Sequence, residues 1–374
     1  MQTFTADRLG LDIAEVDAQI DGRWSLPAHT YFDPDVYEFE LGAVFSARWQ
    51  YFAPLERLAE PGSVVTGDIG ALPVVVTRDE DGELHGFLNV CRHRGYRVVA
   101  GDRNGRWLQC GYHGWTYRLD GSLARSPGTE DDPSFCAGEM SLLPVAVDQW
   151  AQGVYVNPDP DACTLREAHP LLEGLAVDRG FDTDPSHYRF HREIVTENAA
   201  NWKLWYDNGV ECYHCPHIHG STFADAYDVG PESGYRWDTH GTMSSSHFEP
   251  SERVDDGTLR SSTYCSFQFF PGAHAVQQDD FMYMARVVPT GPESCLFVCH
   301  YFAEVGADLD RVDRWIDIWD ATFNEDAEAV AVQQRNLRTG RLPRMRYVDQ
   351  REGPVLFFNR LIWEAYKEAL GASS

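Results

Sequence analysis

Two short stretches, "CRHRG" (Cys91–Gly95) and "CGYHGW" (Cys110–Trp115), constrain this chain more than any other feature. Each pairs a cysteine with a histidine: Cys91 with His93 across one residue, Cys110 with His113 across two. Each falls at a predicted β-turn beside glycine (Gly95, Gly111, Gly114). Glycine lets the backbone close around a bound centre and turn its N–H groups inward. One such pair is a weak signal, but two loop-borne pairs a hairpin apart make a chance alignment of structural thiols a poor explanation. The donors suit a tetrahedral zinc. They equally suit a [2Fe–2S] cluster with both thiolates on one iron and both imidazoles on the other.

The surrounding sequence supports an α+β chain. Near the start, "FDPDVYEFELGAVFSARW" predicts a helix with Asp33 as N-cap and Pro34 in its first position. From about Trp49 to Asn157 short strands and turns follow, such as the hairpin "ALPVVVTRDEDGELHGFLNV" turning at Asp79–Gly82. Residues Asn157–Leu172 read as a surface link. Beyond them "TENAANWKLWYDNGVECYH" predicts a helix, and "YCSFQFFPGAHAVQQ", "DFMYMARVVPT" and "SCLFVCHYFAEV" predict three antiparallel strands. "DLDRVDRWIDIWDATFNEDAEAVAVQQRNL" reads as a long helix, and a last helix closes the chain. The expected division is 1–48, a helical segment packing with the last domain; 49–157, all-β; and 158–374, α+β.

A second group of donors lies in "NGVECYHCPHIHG" (Asn208–Gly220). Glu211 and His214 are three apart, which places them on one face of the predicted helix. Pro216 ends such a helix just after His214, letting His219 fold back; an unbroken helix would point His219 roughly 140° away. His217 is an alternative to either. Cys212 and Cys215 imitate a C-x-x-C pair and read as buried thiols beside an apolar pocket. Two thiolates would close a site, whereas oxygen chemistry needs imidazole, carboxylate and open positions. The long helix offers the carboxylate. Its apolar stripe runs through Val312, Trp315, Ile316, Trp319, Phe323 and Val330, and position 326 of that stripe holds Asp326. An unpaired buried carboxylate costs roughly several kcal/mol, a cost that a metal ion, an arginine partner or an exit to solvent would remove. Glu325 falls off the stripe and reads as solvated.

The pair "CRHRG" and "CGYHGW" resembles the Rieske [2Fe–2S] signature of non-haem iron ring-hydroxylating oxygenases, catalytic α subunits. "NWKLWYDNGVECYHCPHIH" and "NEDAEAVAVQQRNLRTG" are similar to that family's iron-binding segment and third-ligand helix, and the resemblance covers nearly all of the chain. It implies that Cys91 and Cys110 bind one cluster iron and His93 and His113 the other. It further implies that His214, His219 and Asp326 hold a mononuclear Fe(II), with Glu211 bridging the two centres. The implied fold is a small all-β Rieske domain before a helix-grip, START-like catalytic domain, an antiparallel sheet flanked by helices. The implied chemistry uses O2 and electrons from NAD(P)H through a separate flavin and iron–sulfur reductase, with or without a ferredoxin. The implied assembly is a homotrimer, with or without a β subunit. Consistent with a separate reductase, no GxGxxG follows a predicted strand.

Many aromatic-ring dioxygenases carry Asp at the bridging position. Glu211 is more like homotrimeric members acting on quaternary amines (carnitine, glycine betaine or choline), although some aromatic hydroxylases share it. The expected reaction is mono- or dioxygenation of a small aromatic substrate, or hydroxylation or demethylation of a quaternary amine. Asn208 and Asp207, about one turn before Glu211, are expected at the iron pocket. Trp205, Tyr206, Phe267, Phe269 and His274 are expected in its wall. Two other readings compete. An electron carrier would need only the Rieske loops and leaves Glu211, His214, His219 and Asp326 unexplained. A zinc-stabilised binding protein would use the first four ligands structurally.

The formal net charge of −27 argues against nucleic-acid or anionic-membrane partners. No run of 18 apolar residues and no signal-peptide pattern occurs, so a cytoplasmic protein is expected. Nine cysteines spread along such a chain read as buried thiols and ligands, not a disulfide framework.

Overall fold

The computed structural model describes residues 4–220, 222–223, 227, 229, 235–248 and 264–371. Two compact units emerge: Ser46–Ala168, and Met1–Phe45 together with His169–Ser374.

The first unit is built on a seven-stranded antiparallel sheet, ordered β1-β10-β9-β4-β3-β2-β5. Its strands are β1 (Gln50–Pro54), β2 (Ser63–Ile69), β3 (Leu72–Arg78), β4 (Leu84–Leu88), β5 (Arg103–Asn104), β9 (Pro144–Trp150) and β10 (Gly153–Asn157). A small sheet of β6 (Leu108–Gln109), β7 (Thr116–Tyr117) and β8 (Leu123–Arg125) carries the second Cys–His loop. A short helix, α3 (Leu165–Ala168), ends the unit. Strand β3 explains the valine run in the sequence. Side chains alternate across a strand, so Val75 faces one way and Val74 and Val76 the other. Val75 packs with Phe87, Leu108, Tyr117 and both loop cysteines, while Val74 and Val76 join Phe52, Leu58 and Val154 in a separate core.

The second unit centres on another seven-stranded antiparallel sheet, ordered β11-β17-β16-β15-β14-β13-β12. Its strands are β11 (Tyr188–Asn198), β12 (Arg236–His240), β13 (Met243–Phe248), β14 (Tyr264–Phe269), β15 (Ala273–Gln278), β16 (Phe281–Gly291) and β17 (Ser294–Glu304). The three predicted strands are four here, because "YCSFQFFPGAHAVQQ" folds back at Phe270–Gly272 into β14 and β15. Three further strands went unpredicted. The helices are α1 (Ile13–Asp21), α2 (Pro34–Ala43), α4 (Leu172–Arg179), α5 (Trp202–Gly209), α6 (Cys215–Ile218), α7 (Leu309–Leu337) and α8 (Gly353–Ala369). Asp33 caps α2, accepting hydrogen bonds from the N–H groups of Asp35 and Val36. The N-terminal helices share the core of this unit: Phe39 meets Tyr366 edge-on at 5.2 Å, and Trp363 Nε1 donates to Asp17. A buried ion pair links α2 and α5, with Lys203 Nζ 2.5 Å from Glu40 Oε1 and both side chains shielded from solvent.

The helix expected to run through His214 stops earlier. Asn201 caps α5 and Gly209 ends it, two residues before Glu211. Glu211 and His214 therefore do not share a helical face. Pro216 opens the next helix instead of closing the last one, because its missing N–H costs nothing in a first turn. His214 is the N-cap and His219 the C-cap of the short α6.

Candidate metal centres and an aromatic pocket

The two Cys–His loops are copies of one turn. The N–H of Gly95 donates to the Cys91 carbonyl at 2.9 Å, and that of Gly114 to the Cys110 carbonyl at 3.1 Å. Both glycines have φ of 72°, a left-handed value that favours glycine. The turns put Cys91 and Cys110 in the core and leave His93 and His113 exposed, their rings 4.6 Å apart. Burial raises the Cys110 pKa, and Cys91 alongside raises it further, while N–H groups of Tyr112 and His113 aimed at the sulfur lower it. Tyr117 Oη accepts from the Arg92 N–H at 3.0 Å, which leaves its own hydrogen for Cys91 Sγ at 3.3 Å. His93 stacks on Trp115 at 5.0 Å. Two crowded thiols ringed by donors, facing two open imidazoles, fit a cluster that takes thiolates on one side and neutral imidazoles on the other.

In the second unit, three donors converge. His214 Nε2 lies 3.2 Å from His219 Nε2, and Asp326 Oδ1 lies 3.3 Å and 3.1 Å from these two atoms. Each imidazole has its other nitrogen engaged. His214 Nδ1 donates to Glu211 Oε1 at 2.6 Å, and His219 Nδ1 to Glu325 Oε2 at 2.7 Å. The Nε2 lone pairs therefore face inward, and Asp326 Oδ1, buried, has no hydrogen-bond partner. Three facing lone pairs at this spacing repel one another unless a cation lies among them. Burial opposes protonation of His214, but Asp326 and Glu211 outweigh it and lift its pKa to about 10, so a proton on Nε2 donating to Asp326 is the alternative to a metal ion. The triad thus demands positive charge, and two imidazoles with one carboxylate suit Fe(II) with open positions. Asp326 stands on the buried stripe of α7, as its position in the sequence predicts. Glu325 is a correction: it is not merely solvated but orients His219, and Thr222 Oγ1 donates to the same carboxylate oxygen at 2.8 Å. His217 is exposed and outside the triad. Cys212 and Cys215, expected as thiols, form a disulfide.

A cavity of about 70 Å³ opens onto the triad. Among the described residues its walls include Trp205, Tyr264, Tyr283, Phe297, Trp319 and Phe323, with Gln268, His274, Asn208 and Glu211 as polar members and no lysine or arginine. Some rings meet edge-on, as in Phe297–Phe323 at 4.8 Å and Tyr283–Trp319 at 5.2 Å, and Tyr264 stacks on Trp319 at 6.0 Å. Trp319 and Phe323 precede Asp326 by seven and three residues on the stripe of α7, so helical period alone could have found them. Tyr206, Phe267 and Phe269 do not line the cavity. Tyr206 Oη donates to the Phe269 carbonyl, Phe267 packs on Phe181, and Phe269 packs on His169. On β14 the even-numbered Tyr264 and Gln268 face the cavity instead. Asp207 is likewise displaced to a neighbouring surface depression, with Glu211, Tyr213 and Glu352. It accepts from Asn359 Nδ2 at 2.9 Å and Tyr347 Oη at 3.0 Å, and burial pushes its pKa up to about 7.

A thiolate–imidazole cradle on one unit and an open imidazole–carboxylate triad on another are the parts of an iron oxygenase fed by its own electron store. Comparison with known proteins agrees. Residues 185–368 match the model of the ring hydroxylating alpha subunit (catalytic domain), and residues 48–144 match that of the Rieske [2Fe–2S] domain. The carnitine monooxygenase oxygenase subunit of Acinetobacter baumannii is 34% identical over 214 residues, 57% of this chain and 57% of that protein, so the aligned stretch spans little more than half of the relative. The chloroplastic choline monooxygenase of Spinacia oleracea is 27% identical over 98% of this chain and 84% of its own length. A solved quaternary ammonium Rieske monooxygenase superposes with a TM-score of 0.82 at 26% identity, covering 95% of this chain and 98% of that one. A naphthalene 1,2-dioxygenase from Rhodococcus sp. shares the fold, with a TM-score of 0.79 at 21% identity. The chain belongs to the Rieske non-haem iron ring-hydroxylating oxygenases, as a catalytic alpha subunit, and its cofactors are a Rieske [2Fe–2S] cluster and a mononuclear iron.

Proposed function

We propose that this chain is the oxygenase component of a multicomponent system that hydroxylates or demethylates a small quaternary amine. The observation that carries this reading is the aromatic cavity that opens onto the metal triad with no lysine or arginine among its described residues. Aromatic faces attract an ammonium group by their quadrupoles. The carnitine and choline monooxygenases among its relatives support the same class.

In this reading His214, His219 and Asp326 hold the iron, and Cys91, Cys110, His93 and His113 hold the cluster. When bound, the two centres together supply electrons and activate O2. The chain's residues do the rest. Glu325 and Glu211 accept hydrogen bonds from Nδ1–H of His219 and His214, which fixes each ring with Nε2 free. The aromatic wall excludes water and holds the substrate cation. Asn208, at the cavity rim, is a positioning residue for the substrate.

Electrons come from NAD(P)H through a separate reductase, with or without a ferredoxin. The active assembly is a homotrimer in which one copy's cluster loops meet the iron site of the next. Charge supports that pairing. Arg92, Arg94 and Arg97 surround the first cluster loop, whereas the depression beside Glu211 carries Glu352 and no lysine or arginine among its described residues. Glu211 then joins His214 to His113 of the next copy. The test is Glu211→Gln with choline, carnitine and glycine betaine as substrates and a surrogate reductase. The variant is expected to keep both iron centres, by iron content and the Rieske EPR signal, yet to lose substrate-coupled O2 consumption. Near-normal product formation would end the bridging role, and failure of the wild type to turn over any quaternary amine would end the substrate class.

A further inference from the structure

One polar group in the cavity wall has no partner and no role so far. His274, on β15, is 5% exposed, and its Nε2 is buried without a hydrogen bond. Its strand neighbours do not supply one. Across β14 it faces Gln268, whose Oε1 accepts from Ser244 Oγ and whose Nε2 donates to Ser266 Oγ. Across β16 it faces Ala285. Tyr206 and Phe297 meet the ring edge-on at 5.1 Å and 6.0 Å. On the remaining side is Gly209, where a Cβ would come within 3.3 Å of Cε1 and 3.7 Å of Nε2, so glycine leaves the ring its room. Buried polar atoms in folded proteins are almost always paired, and an unpaired one in a ligand cavity points to the ligand. Burial lowers the imidazole pKa to about 3, so the ring is neutral and does not repel a cation.

We infer that His274 is a specificity-determining residue that hydrogen-bonds an uncharged oxygen, a hydroxyl or a carbonyl, on the bound amine. The inference rests on the quaternary-amine reading for the identity of the cation but not for the role of the ring. A small aromatic-walled cavity with a few polar members suits a compact amine bearing one such oxygen. A neutral imidazole offers one donor and one acceptor, so it serves either kind of oxygen. The aromatic walls grip the ammonium whether or not the oxygen is present; the bare Nε2 of His274 is what tells the two apart. A site built to pair a substrate oxygen rejects the analogue that lacks it, because its own polar atom then stays bare.

The test uses the iron-loaded holoenzyme and two probe pairs: choline with ethyltrimethylammonium, and benzyl alcohol with toluene. Affinities are read by titration calorimetry and kcat/KM by O2 uptake. The wild type is expected to favour choline over its deoxy partner by ten-fold or more. His274→Phe keeps a ring, and is expected to bind both amines equally and the deoxy amine as wild type does. His274→Gln restores a donor and an acceptor and should recover part of the preference, which separates lost recognition from lost folding. Equal binding of choline and ethyltrimethylammonium by the wild type, or a preference that survives His274→Phe, overturns the role of His274. If neither amine binds and only the benzyl alcohol preference depends on His274, the amine reading fails and the role of the ring stands. Binding of none of the four probes counts against both.

Discussion

Glu325 offers a sharp measure of how this site holds iron. Its Oε2 accepts from His219 Nδ1 at 2.7 Å and from Thr222 Oγ1 at 2.8 Å, and the side chain is 30% exposed. The carboxylate fixes the His219 tautomer and makes Nε2 a better donor to a metal. Glu325→Gln keeps the shape and one acceptor but removes the charge. A charge-assisted hydrogen bond contributes about 1.5–3 kcal/mol and a neutral one about 0.5–1.5, so roughly 1 kcal/mol should be lost after allowing for solvent screening. At about 1.4 kcal/mol per ten-fold, that weakens iron binding about five-fold. Glu325→Ala frees the ring altogether and should cost about 10–100-fold. The assay is iron per chain during competition with a chelator, with the Rieske absorbance as an internal standard that should not change. If Glu325→Ala holds iron within two-fold of wild type, the account of the triad's outer support is wrong.

Lys203→Met leaves Glu40 charged and buried, and should lower stability by about 3–5 kcal/mol in chemical denaturation. Lys203→Met with Glu40→Gln, which removes both charges, should cost markedly less. Asp207 gives a pH signature. Its pKa of about 7 in the fold lies above the ordinary 3.8, so the folded chain binds this proton more tightly. The resulting stability is fully present below about pH 4, falls as pH rises to about 7, and amounts to at most about 4 kcal/mol. The difference between wild type and Asp207→Asn, measured by denaturation across that window, should therefore slope in favour of the variant as pH rises. Gly209→Ala should press on the His274 ring and weaken substrate binding while leaving iron content unchanged.

Much of the site was legible because the residue types that suit metal ions recur at short, recognisable spacings. Asp326 stood out because a carboxylate interrupting an apolar stripe needs a reason. Glu325 stayed hidden because stripe reasoning sends its neighbours to solvent, yet a residue at the stripe's edge can reach the outer nitrogen of a ligand. The pocket wall was harder. Every residue of β14 is buried, so the run "YCSFQF" gives no clue to which alternate side chains face the cavity. Phe267 and Phe269 drew the eye, and Tyr264 and Gln268 were the ones exposed to it. The early end of α5 was missed although Gly209 is itself a local stop signal for a helix. The helix capped by Asp33 and the pattern of α7 were read with little loss, since both depend on neighbours close in sequence, whereas α1 went unread.

The valine run of β3 divides the first unit into two cores. Because Val75 serves the cluster loops while Val74 and Val76 serve a different core, the two halves of this small unit need not melt together. Stripped of its cluster, the protein should loosen at residues 91–99 and 108–117 while the far face of the sheet still shields its amides, so that deuterium uptake would divide a single strand's neighbours into a fast side and a slow one.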